Sequence, residues 1–105
     1  MSDILVLSTT DTSDLARKIA SALVRSHEAA CVNIIPGIRS VYIWEGQECN
    51  EEEFLLLIKS TSEKFEAVRT RIRQLHSFQV PEIIAIPIDA GDPAYLAWLR
   101  TSVRD

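Results

Sequence analysis

The sequence predicts an α+β fold of the ferredoxin-like type, β-α-β-β-α-β, extended by one further helix near the C-terminal end. Three observations carry this. Short apolar runs of strand length alternate with segments of helical periodicity, and each helical segment opens on a capping residue. No linker, internal repeat or low-complexity stretch interrupts the 105 residues. A chain of that length forms one domain, residues 1–105.

The elements follow in order. Ile4 to Ser8 (ILVLS) is an apolar strand. Asp11, Thr12 and Ser13 supply cap residues for a helix in which Ala16, Ile19, Ala20, Leu23 and Val24 recur at helical spacing. Ala30 to Trp44 is the second strand, broken at Pro36-Gly37. Pro36 has no N–H for a ladder and Gly37 tolerates positive φ, so a break or bulge is expected there, with Tyr42 and Trp44 on one face. Glu45 to Asn50 reads as a polar turn, and Glu52 to Ser60, containing FLLLI, as the third strand. Thr61 or Ser62 caps a second helix with Phe65, Val68, Ile72 and Leu75 on one stripe. Ile83 to Ile88 is the fourth strand. Asp92 followed by Pro93 at the first helical position opens a last helix, in which Tyr95 and Trp98 read as packing residues.

Composition excludes several functions. A hydrophobic share of 47% excludes general disorder. A net charge of −4 without a basic stripe argues against nucleic acid as a partner. The apolar runs fall far short of the roughly 18 residues of a membrane span, and Asp3 stands where a leader would carry positive charge. A cytoplasmic protein is expected. Cys31, in an apolar strand, and Cys49, in a polar turn, make no disulfide framework, as suits a reducing compartment. Gly37, Gly46 and Gly91 form neither a dinucleotide fingerprint nor a phosphate loop, no Gly-x-Ser-x-Gly elbow occurs, and two histidines offer few general bases. No catalytic activity and no organic cofactor is expected. The central strands lack the aromatics of RNA-recognition modules, and no Cys-x-x-Cys loop is present for Cu(I).

The pattern also points beyond the monomer. Two helices cover one face of a four-stranded sheet, yet ILVL, FLLLI and IIAI are apolar on both faces. A second copy of the chain is the economical cover, and closed symmetry protects free strand edges.

Four stretches, taken in order, resemble the CutA family of divalent-cation tolerance proteins: Ala29 to Gln47, Leu56 to Ser60, His76 to Pro87 and Gly91 to Leu99. The resemblance implies a homotrimer linked to metal tolerance, binding copper or another divalent cation weakly. Some bacterial members carry a His-His pair and a strand-end Cys to which copper binding is assigned. The matching positions here are Leu75, His76 and Ser8, which leaves His76 as the metal candidate. Phe78 and Ser77 stand where the family usually has tyrosine and proline. A pair at His27 and Cys31 is a lesser metal candidate, because a helix ends between them.

Tyr42, Trp44, Lys59 and Glu82 are candidates for a ligand cleft. Lys59 ends an apolar strand within the family-like Ile58-Lys59-Ser60, and Glu82 is its expected counter-charge, as a structural ion pair or as part of the cleft. The aromatics read first as interface core, since strand aromatics pack across a sheet, and only second as the floor of a cleft. Two alternatives to metal tolerance stay open: a small-ligand sensor resembling the trimeric PII signalling proteins, and a purely structural trimer.

Overall fold

The computed structural model describes residues 2–105. Its strands are β1 (Asp3–Thr10), β2 (Cys31–Trp44), β3 (Gln47–Thr61) and β4 (Ile84–Pro87); its α-helices are α1 (Ser13–Arg25), α2 (Phe65–Leu75) and α3 (Pro93–Ser102). The sheet order is β2-β3-β1-β4 with all neighbours antiparallel, which is the expected ferredoxin-like arrangement with its added helix.

Local chemistry sets the helix starts. The Thr12 hydroxyl accepts from Leu15 N–H at 3.1 Å ahead of α1, and the Asp92 carboxylate accepts from Ala94 and Tyr95 N–H ahead of α3, with Pro93 next in line. A single 3₁₀ turn, Ser62–Lys64, precedes α2.

One face of the sheet is covered by α1 and α2. Ile4 and Val6 of β1 and Leu56 and Ile58 of β3 meet Ala16, Ile19 and Leu23 of α1 and Val68 and Ile72 of α2 in a single buried cluster. The alternate residues point the other way. Leu5, Leu7, Leu55 and Leu57 are half-buried. Their register partners Ile86, Ile84 and Ile35 are exposed. This open apolar face is the one the sequence pattern leaves without cover. Only its end near Asp3 is closed, by α3, whose Leu99 packs with Ala30, Ile88 and Val103. Tyr95 and Trp98 stack on each other at 5.6 Å between centroids but stay exposed, so they are not core packing within the chain.

The structure corrects the expected turn at Glu45 to Asn50. The reversal takes only Glu45 (φ 51°) and Gly46 (φ 79°), the paired positive dihedrals of a two-residue hairpin turn. Strand β3 therefore begins at Gln47, and its polar first half pairs with Ile38 to Trp44 as a two-stranded arm beyond the last β1 pairing, Thr10 with Phe54. Gln47 to Asn50, expected in the turn, belong to the exposed arm of a ribbon. Since nothing lies within 4 Å of a Cβ placed on Gly46, Gly46→Ala strains only the backbone. It should lower stability by about 1 kcal/mol, measured as a shift in the urea midpoint.

Candidate functional site

The bulge at Pro36-Gly37 builds the site. Two residues of β2, Pro36 and Gly37, stand against one of β3, Phe54, between the pairs Ile35–Leu55 and Ile38–Glu53. Gly37 accommodates this at φ 75°. The extra residue reverses the parity of β2. Before it Cys31, Asn33 and Ile35 share the open face with Leu55 and Leu57; after it Ser40, Tyr42 and Trp44 do, alongside Glu53.

A cleft of about 650 Å³ lies between this arm and the segment following α2. Ser40, Val41, Tyr42, Trp44 and Glu53 form one wall, Ser77, Phe78, Gln79, Val80 and Glu82 the other, and Thr9 lies between them. Tyr42, Trp44 and Glu82 are thus brought together as the sequence suggests. Lys59 is not among the residues lining the cleft. It pairs in register with Leu5 and Cys31 at the opposite end of the sheet and donates to Asn33 Oδ1. Glu82 lies just ahead of Ile84, the β4 residue that pairs with Leu7, and β1 runs between β4 and β3. The expected Lys59–Glu82 ion pair is absent among the described residues.

Glu53 is the residue that sequence reasoning missed. It is 3% exposed. Its Oε1 accepts from the Ser40 hydroxyl at 2.6 Å, and no Lys, Arg or His among the described residues pairs with it. The Tyr42 phenol is held above its ordinary value, first by desolvation and then by charge on Cys49 and Glu53.

His76 holds the second wall in place. It caps α2, its N–H donating to Ile72 O. Phe78 N–H donates to Nδ1 at 3.0 Å, so Nδ1 is the bare nitrogen, and Nε2–H donates to Thr9 O at 2.6 Å. The imidazole also lies 4.6 Å from the Phe78 ring, centroid to centroid. Both ring nitrogens are therefore engaged, and a metal ion would have to displace the Phe78 N–H. Ser8, at the position of the family's cysteine, points into the helix-covered core, where its hydroxyl is buried without a partner. His27 is likewise occupied by Arg104, whose Nη2 donates to Nε2 at 3.3 Å. Among the described residues no three His, Cys, Asp or Glu side chains converge as a metal site. The residues at His76 do not fit copper as a resident ion.

Residues 4–102 match the family described as CutA1 divalent ion tolerance protein. The divalent-cation tolerance protein CutA of Thermus thermophilus is 47% identical over 96 residues, covering 91% of this chain and 93% of that protein. The chloroplastic CutA protein of Arabidopsis thaliana is 41% identical over 102 residues, which span 97% of this chain but 56% of the plant protein. The crystal structure of CutA1 from Oryza sativa superposes with a TM-score of 0.96 at 38% identity, covering 100% of this chain and 96% of that one. Among the described residues no helix is long and apolar enough to cross a membrane.

Proposed function

Since the chain belongs to the CutA1 divalent ion tolerance family, we propose that it serves cation tolerance as a non-catalytic homotrimer with a weak cation site in the cleft. The carrying observation is Glu53, a carboxylate 3% exposed that has no cationic partner among the described residues. Desolvating an unpaired charge is unfavourable, so a cation entering the cleft recovers the lost interaction. Glu82 adds a second carboxylate, and Ser40 and Thr9 add neutral oxygens. An oxygen-only donor set without convergent nitrogen or thiolate ligands gives weak and unselective binding of divalent ions, with Cu²⁺ ahead of the others in the Irving–Williams order. The open apolar face supports the trimer. Cys31 and Cys49 are free, which accords with a cytoplasmic location.

The small-ligand alternative is favoured by the aromatic walls of the cleft, although no Lys or Arg lines it to meet the phosphates of a nucleotide. Calorimetric titration with Cu²⁺ tests the metal assignment. Weak saturable heat should appear for wild type and for His76→Ala and vanish for Glu53→Gln, each variant first shown to keep the wild-type mass. Heat lost in His76→Ala and kept in Glu53→Gln would return the site to the imidazole.

A further inference from the structure

We propose that Lys59 of one subunit pairs with Glu82 of the next, so that each cation cleft is assembled from two copies of the chain. This rests on the trimer reading and adds the residues by which the copies meet at the site.

Lys59 needs an anion that its own chain does not supply. It is half-buried on the open apolar face, level with Leu5 and Cys31, and it donates to the neutral Asn33 Oδ1. Asp3 begins β1 on the same face, but both its oxygens are taken by Arg100. Glu53 lies six residues back along β3, roughly 20 Å away at the rise of a strand. Once a neighbour covers this face the ammonium loses its water, and a desolvated charge without a counter-charge is strongly unfavourable.

The acids stand at the other end of the face. Glu51 and Glu53 share it with Ser40 and Tyr42 on the arm, and Glu82 lines the cleft beside them. Glu53 is nearly closed to solvent and already held by Ser40. Glu82 is exposed and has no cationic partner among the described residues, so it is the carboxylate that a side chain from outside can reach.

Symmetry joins the two ends. A three-fold ring is built from heterologous contacts, in which a patch on one subunit meets a different patch on the next. The open face offers such a pair, with Lys59 at the Asp3 end and the glutamates at the arm end. Meeting like to like would gather three ammonium groups, or several carboxylates, around one axis. Meeting head to tail sets opposite charges together at every contact.

The cation cleft gains a regulator in this arrangement. Glu53 keeps its unpaired charge for an entering ion, while the ion and the neighbour's ammonium compete for Glu82. Binding is held weak for that reason, and Lys59→Gln should tighten it several-fold in Cu²⁺ calorimetry, provided the variant keeps the trimer mass.

The direct test uses the wild-type chain, so no variant has to fold. Unlabelled and ¹⁵N-labelled chains are unfolded together, refolded and treated with a carbodiimide, which joins an amine to a carboxylate in contact without a spacer. Lys18, Lys59 and Lys64 are the lysines of the chain, so the joined peptides are readily assigned by mass. Lys64, which pairs with Asp105, is the control within one chain and should give links of a single isotope. Lys59 should be joined to Glu82 with both isotopes in one linked peptide, and denaturing gels should show chains coupled up to the trimer. That link should persist in Glu53→Gln. A protein of trimer mass in which Lys59 is joined elsewhere, or not at all, overturns the pair and leaves the trimer standing. Monomer mass with no link between chains overturns both.

Discussion

Leu56→Asp should yield no folded protein, whereas Leu55→Asp, one residue away, should yield a folded chain that no longer assembles. Leu56 is 0% exposed beneath α1 and α2, among Ile19, Leu23, Val68 and Ile72. A carboxylate there has no partner, and burying it together with the loss of the leucine costs several kcal/mol, a large part of the roughly 5–15 kcal/mol that keeps a domain folded. Leu55 points to the open face with Leu5, Leu7 and Leu57, and its cross-strand partner Ile35 is 41% exposed. In the isolated chain water reaches the carboxylate that Leu55→Asp introduces, and the helix-covered core is untouched. In the proposed trimer the same carboxylate would lie within an apolar contact. Light scattering should give about three times the chain mass for wild type and the monomer mass for Leu55→Asp, with the same far-UV circular dichroism. An oligomeric Leu55→Asp would move the interface to another surface, and a wild-type monomer would end the trimer assignment.

The contrast between those neighbouring leucines was legible in part. A run such as FLLLI announces a strand buried on both sides, because a half-solvated strand would alternate. It does not say which face meets the chain's own helices; that is set by the register of β3 on β1. The bulge was legible from Pro36-Gly37, because proline and glycine each forbid a regular ladder there for a stated stereochemical reason. Its consequence for parity, which turns Tyr42 and Trp44 towards the cleft, follows once the strand is known to continue beyond it.

The second half of the site was hidden for a different reason. Glu51, Glu52 and Glu53 look alike in the sequence, and a run of three acids reads as solvated turn or surface. The fold buries the third of them at the cleft that the arm forms with residues 77–82. That juxtaposition joins segments far apart in the chain, which no local periodicity encodes. Pairing Lys59 with Glu82 failed similarly. Opposite charges at two strand ends invite an ion pair, but the sheet order and register place them at opposite ends of the sheet. The buried carboxylate that does find an internal cation is Asp3, with a partner 97 residues away.

Arg100→Met should destabilise the protein at neutral pH more than the double variant Asp3→Asn with Arg100→Met, and acid should close that gap. Asp3 is 6% exposed at the start of β1. Both its oxygens accept from the Arg100 guanidinium of α3, at 3.0 and 2.7 Å, a two-point bond that ties the last helix to the sheet. Arg100→Met alone leaves the Asp3 charge buried and unpaired, whereas adding Asp3→Asn removes that charge as well, so the two substitutions are not additive. The hydrogen bond from Arg100 holds the Asp3 carboxyl below its ordinary value, against the opposing effect of burial. A carboxylate depressed on folding contributes stability that is fully present above its unfolded value, about 3.9, and is lost as the pH falls through the lower folded value. Urea midpoints of wild type and Arg100→Met should therefore lie furthest apart at pH 7 and converge as the pH falls. The unpaired, buried carboxyl of the variant first takes up a proton above the unfolded value; wild type then loses its ion pair below it. Parallel midpoints across that range, or additive effects in the double-mutant cycle, would mean that Leu99, packed on Ala30, Ile88 and Val103, holds α3 in place without the ion pair.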